Sequence, residues 1–149
     1  MTNSRQLPTV ETNVIETTFR VRYAETDQMG IVHHAAYVAW LEEGRSQWMR
    51  AHGGSYTQFE KEGLLLVVSE LYLRYQQPAH YDQEVTIRCW VDSVRSRQIQ
   101  FNYEVVEAET GAIFASGYTR LICLDHEGNV TKMPVRWQRF FVKVDRPRA

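Results

Sequence analysis

Twelve residues near the amino end, Tyr23 to His34 (YAETDQMGIVHH), gather two carboxylates, a threonine and two histidines around one glycine. Immediately after them the apolar spacing becomes helical, so Asp27 stands in a loop just ahead of a helix start. Helix N-termini carry unpaired amides that bind anions and polarise carbonyl oxygens. A carboxylate beside such amides offers both halves of acyl transfer, a nucleophile or general base and an oxyanion hole. Gly30 lets the chain turn sharply and lets a substrate approach the backbone. The same residues also suit a plainer role, in which Asp27 or Thr26 caps the helix and His34 hydrogen-bonds within the loop.

The elements that must position this loop are legible from periodicity. From Val14 to Tyr23 the residues alternate, with Ile15, Thr17, Phe19, Val21 and Tyr23 on one face of an expected half-buried strand. From about Ala35 to His52, Tyr37, Leu41, Gly44 and Trp48 recur at helical spacing, widened by Trp40 and Ala51 and flanked by Glu42, Glu43, Arg45 and Gln47. Gly44 within that apolar stripe predicts close approach to another backbone, such as a sheet. Gly53-Gly54 ends the helix, and a shorter helical turn is expected over Tyr56 to Lys61. Four strands follow: Leu64 to Tyr75, a run around Val85 to Val91, another around Ile99 to Val105, and Ile113 to Leu124. Glu109-Thr110-Gly111 and Asp125 to Asn129 read as turns, and Pro134 to Phe141 as a short terminal helix. Strands joined by short turns must pair mostly antiparallel. The expected architecture is therefore α+β, a curved antiparallel five-stranded sheet wrapped around one long central helix.

Composition limits the functions open to such a domain. At 149 residues the chain suits one domain, read as residues 14–149 behind a flexible tail at 1–13. Its net charge of −1, from 17 basic and 18 acidic residues, gives no electrostatic case for nucleic-acid binding. No apolar run reaches the roughly 20 residues of a membrane span. MTNSRQLPTVETN lacks the apolar core of a signal peptide, and Cys89 and Cys123 read as reduced and buried, so a cytoplasmic location is expected.

The run from Arg20 to Arg45 resembles the N-terminal motif of the hotdog-fold acyl-CoA thioesterases, in particular the 4-hydroxybenzoyl-CoA thioesterase family and its Tol–Pal-linked relatives. The pattern falls on Tyr23, Glu25, Thr26, Asp27, Gly30, Val32, His34, Tyr37, Glu42 and Arg45. The resemblance implies the hotdog fold, a homodimer with active sites at its interface, frequent association into a homotetramer, and an acyl-CoA substrate. It places the catalytic acid on Asp27 and the polarising amide in the backbone near His34, with no metal and no cofactor beyond the substrate's own coenzyme A. Gly30, Val32 and Tyr37 are then expected at the substrate, and Arg95 and Arg97 are expected to meet the CoA phosphates. Two other readings stay open, a non-catalytic acyl-CoA-binding module and a dehydratase acting on 3-hydroxyacyl thioesters.

Further candidates carry less. A metal site from Asp27, His33 and His34 is not expected, because adjacent side chains diverge in helix and strand. Glu42 and Arg45 have the spacing of an ion pair along a helix. Glu70 and Arg74 are expected on one strand face with Leu66, Val68 and Tyr72.

Overall fold

In the computed structural model, residues 13–142 are described. In chain order they form β1 (Ile15–Arg20), α1 (Ala36–Ala51), α2 (Tyr56–Lys61), β2 (Leu64–Tyr75), β3 (Glu84–Val94), β4 (Gln98–Glu107), β5 (Ile113–Asp125) and α3 (Val135–Val142). The sheet runs β1-β3-β4-β5-β2, and every neighbouring pair is antiparallel. Short turns join β3, β4 and β5. β2, which precedes them in the chain, crosses to the far edge beside β5. Asn13 is buried, its side chain donating to the Val91 carbonyl at 2.9 Å, so the packed domain begins one residue before the expected boundary. The rest of the expected tail lies outside the described residues.

α1 packs on β1, β3 and β4 through Tyr37, Trp40, Leu41, Gly44, Trp48 and Met49. Opposite them lie Ile87 and Cys89 of β3 and Phe101 and Tyr103 of β4, all buried. Fully burying an aliphatic side chain of this size contributes about 1.5–3 kcal/mol, so this face holds helix to sheet. Gly44 is the closest approach: a Cβ there would lie 2.8 Å from Ile87 Cγ2. The packing thus has no room for a side chain where the sequence placed a glycine.

Several local expectations are corrected. β1 stops at Arg20 rather than Tyr23, because Glu25 Oε1 accepts the Arg22 amide at 2.8 Å and closes a 3-10 turn over Tyr23–Glu25. Tyr23 leaves the sheet and is 76% exposed. Ala51 is exposed, whereas Arg45, expected on the flank, is buried. Arg45 turns from Glu42 toward two phenols, Nε donating to Tyr56 Oη at 3.0 Å and Nη1 to Tyr103 Oη at 3.2 Å. Burial opposes its charge, but the two hydroxyls outweigh that cost and the guanidinium stays protonated.

β2 holds the largest departure. Its register on β5 shifts between Val68 and Glu70, where a bulge at Ser69 sets one extra residue against the partner strand. Leu66 and Val68 pair with Cys123 and Leu121, whereas Glu70 and Tyr72 pair with Arg120 and Tyr118. Cross-strand partners share a face, so Leu66 and Val68 lie opposite Glu70, Tyr72 and Arg74, not beside them. Glu70 joins Arg120 at 2.9 Å and accepts the Tyr118 hydroxyl at 2.8 Å on the outer face. The same shift turns Leu73 and Tyr75 to the inner face.

Gly117 on β5 is where β2 comes closest. A Cβ at this position would lie 1.9 Å from the Tyr72 carbonyl oxygen. Gly117→Ala should therefore part β2 from β5 and cost at least about 2 kcal/mol. Urea denaturation of the two proteins measures this; a loss below 0.5 kcal/mol would mean that the strands accommodate the methyl group.

Candidate active site

The loop between β1 and α1 is built by backbone bonds to the segment after β2. Val32 N donates to the Ala79 carbonyl at 2.8 Å, and Ile31 bridges His80. Within the loop, Asp27 N donates to Ile31 O and Gly30 N to Asp27 O, both at 2.9 Å, with Gly30 at φ +80°. That left-handed turn favours glycine, as its place in the sequence predicts. Asp27 Oδ1 accepts the Met29 amide at 2.9 Å, and Thr26 Oγ1 donates to the Tyr23 carbonyl at 2.7 Å. Neither side chain caps α1. The cap position is Ala35, with no side-chain hydrogen bond, so the plain capping role is overturned.

The start of α1 consequently keeps an unusual set of amides. His33 N donates to the Glu25 carbonyl at 2.7 Å, Ala35 N to His33 Nδ1 at 3.1 Å, and Ala36 N to the His33 carbonyl at 2.9 Å. With Val32 engaged on Ala79, the His34 amide is the one donor from Val32 to Ala36 without an acceptor among the described residues. An unpaired amide at the positive end of a helix is suited to an oxygen that gains negative charge.

Asp27 and His34 line one cavity of about 360 Å³ with Met29, Ile31, Val32, Tyr37, Tyr75, Gln76, Gln77 and Pro78. Asp27 and His34, the residue whose amide is unpaired, thus share an otherwise mainly apolar pocket. Burial pushes the Tyr37 hydroxyl above the usual tyrosine range, with the Ala79 amide opposing, and burial also raises Tyr75. Both phenols remain protonated at neutral pH, and Tyr75 Oη donates to the His34 carbonyl at 2.9 Å.

Glu25 ties the loop to the helix. Its Oε2 accepts from the Trp40 indole at 2.8 Å and from Arg22 Nη2 at 2.7 Å. Burial pushes its carboxyl upward, but the bonds from the Arg22 amide, Trp40 and the Arg22 guanidinium outweigh that and hold it below 4.5. A depressed carboxyl stabilises the fold above its unfolded value and loses that contribution as the pH falls through the folded one. Glu25→Gln should therefore cost about 1 kcal/mol at pH 7 and much less once the pH has fallen below the folded value. Denaturation under both conditions checks this; an equal loss at each would remove the charge from the explanation.

Of the residues singled out in the sequence, the structure brings Asp27, Val32, His34 and Tyr37 to the cavity. Gly30 shapes its wall without lining it. Arg95 and Arg97 are exposed on the β3–β4 turn. Within one protomer that turn is about 30 Å along β3 from Glu84, which pairs with Arg20 beside the loop. The His33 and His34 rings do not diverge as expected but stack at 4.5 Å, because the backbone there is neither helix nor strand. No cluster among the described residues has the makings of a metal centre. Tyr75 and Gln76 to Pro78 were missed, because alternation carried across Ser69 places Tyr75 on the wrong face.

The five-stranded antiparallel sheet with α1 against it is the architecture of the hotdog class of α+β protein. Residues 21–141 match the thioesterase-like superfamily, and the chain belongs to it. It is 32% identical to YneP of Bacillus subtilis over 121 residues, covering 81% of this chain and 85% of that one. It is 31% identical to the acyl-CoA thioester hydrolase YbgC of Escherichia coli O157:H7, covering 71% of this chain and 78% of that one. The DHNA-CoA thioesterase from Staphylococcus aureus superimposes with a TM-score of 0.82 at 29% identity, covering 88% and 90% of the two chains.

Proposed function

We propose that this protein is an acyl-CoA thioesterase that hydrolyses a thioester to a free carboxylate and CoA. The observation that carries the reading is the shared cavity of Asp27 and His34, with the His34 amide left unpaired. The thioester carbonyl accepts a hydrogen bond from that amide, which stabilises the oxyanion as it forms. Asp27 either attacks the carbonyl carbon, giving a mixed anhydride that water hydrolyses, or takes the proton of an attacking water. In both routes the carbon–sulfur bond breaks and the CoA thiolate leaves without a strong general acid. The products balance with acyl-CoA and water alone, and the proposed route uses neither a metal nor a further cofactor. Met29, Ile31, Val32, Tyr37 and Pro78 offer an apolar surface to the acyl group.

The working unit in this reading is a homodimer joined along β2. That strand is a sheet edge with Leu65, Val67, Val68, Leu71, Tyr72 and Tyr75 each more than a third exposed. An edge of this length and apolarity invites pairing with a second copy. Pairing there would bring the two cavities, each walled by Tyr75, to the interface; two dimers would then form the homotetramer. Arg95 and Arg97 remain the proposed CoA phosphate contacts, and the cytoplasm, where acyl-CoA and reduced thiols occur, the proposed compartment.

Release of free thiol from aromatic, medium-chain and long-chain acyl-CoAs tests the activity. The reading predicts turnover of at least one of the three classes. Saturable binding with no thiol release from any would instead make this an acyl-CoA-binding module.

A further inference from the structure

We propose that Tyr75 and His33 are positioning residues that clamp the peptide between His34 and Ala35 and so fix the direction of the His34 amide. The inference rests on the thioesterase reading and adds two side chains to it. The clamped peptide is held at both of its polar atoms. Its N–H, on Ala35, donates to His33 Nδ1 at 3.1 Å, and its C=O, on His34, accepts the Tyr75 hydroxyl at 2.9 Å. The preceding peptide is held through the His33 carbonyl, which accepts the Ala36 amide at 2.9 Å. Its N–H is the His34 amide itself. That amide therefore has fixed neighbours on both sides and no acceptor among the described residues, the condition under which a preorganised donor can serve a ligand oxygen in the transition state.

Each clamp has a distinct origin in the sequence. α1 begins at Ala36, its cap residue Ala35 has no capping side chain, and the imidazole of His33 supplies an acceptor in its place. To accept there, the ring must be neutral with its proton on Nε2. Tyr75 is the last residue of β2, and the bulge at Ser69 turns it inward to reach the loop. Its edge-on contact with the buried Tyr37, at 5.1 Å between ring centres, holds the phenol in place. One residue before the helix and one from the sheet edge thus meet on a single peptide group.

Tyr75→Phe removes one hydroxyl. It should lower kcat by about five- to tenfold, the worth of one neutral hydrogen bond, with KM changed less than about twofold. His33→Ala should lower kcat by a similar factor, and His33→Asn should recover most of it, since its amide oxygen can accept the Ala35 N–H. Nitrogen-15 NMR of wild type should show His33 as the Nε2–H tautomer. The Ala35 amide resonance should move in His33→Ala and return toward wild type in His33→Asn. A kcat within twofold of wild type in both Tyr75→Phe and His33→Ala, or no rescue by asparagine, would overturn the clamp while leaving the thioesterase reading intact. Absence of turnover in the wild type, with the NMR signatures present, would instead overturn the thioesterase reading and with it the clamp's catalytic purpose.

Discussion

Asp27→Asn is expected to lower kcat for acyl-CoA hydrolysis by at least about a thousandfold while leaving substrate affinity within about threefold. Asparagine keeps the shape of the side chain and an oxygen able to accept the Met29 amide, so the turn through Gly30 survives. What it loses is the negative charge and basicity that both proposed routes require. The second carboxylate oxygen carries the difference, because Oδ1 is the one tied into the turn. Steady-state kinetics paired with calorimetric binding separates the two quantities. A variant that keeps a tenth of wild-type kcat would remove Asp27 from the bond-breaking step.

The second large effect concerns a backbone atom. His34→Pro deletes the unpaired N–H and should lower kcat by about a hundred- to a thousandfold, the scale of one oxyanion donor. Position 34 lies outside α1, two residues before its first helical residue, and its N–H makes no bond that proline would remove. His34→Ala keeps the amide and should retain kcat within about fivefold, although loss of the ring from the cavity wall can change KM. The contrast distinguishes amide from imidazole: equal and severe losses in both variants would assign the chemistry to the ring. Thermal unfolding of each variant shows whether the helix start has been disturbed.

Much of the scaffold was legible because its signals are local and regular. Alternation located β3 and β4, flanking turns bounded β5, and helical spacing located α1 to within a residue. Gly44 announced its contact with the sheet because a glycine inside an apolar stripe otherwise weakens the helix. The failures have two causes, side-chain bonds a few residues along the chain and contacts between residues distant in it. Alternation alone extended β1 through Tyr23, where Glu25 instead folds the chain into a turn. Arg45 looked like a surface cation until two tyrosines, from α2 and β4, enclosed it. The bulge at Ser69 has no signature in Leu64 to Tyr75, yet it reverses every face beyond it.

The candidate site divides in the same way. Asp27, Gly30, Val32 and the region of His34 lie in one contiguous segment, and their types and order sufficed to single them out. The side chains that complete the wall come from Tyr75 to Pro78, some 45 residues further on, and only the fold joins them to the loop. His33 was visible as a residue but not as a cap, because its role depends on the ring folding back onto the Ala35 amide.

A crystal structure of the Asp27→Asn variant with an uncleaved acyl-CoA is the most direct test of the central claim. The thioester oxygen should lie about 3 Å from the His34 nitrogen, with the residue 27 side chain against the carbonyl carbon and the acyl group along Val32, Tyr37 and Tyr75. A thioester bound away from His34, with this cavity empty, would contradict it.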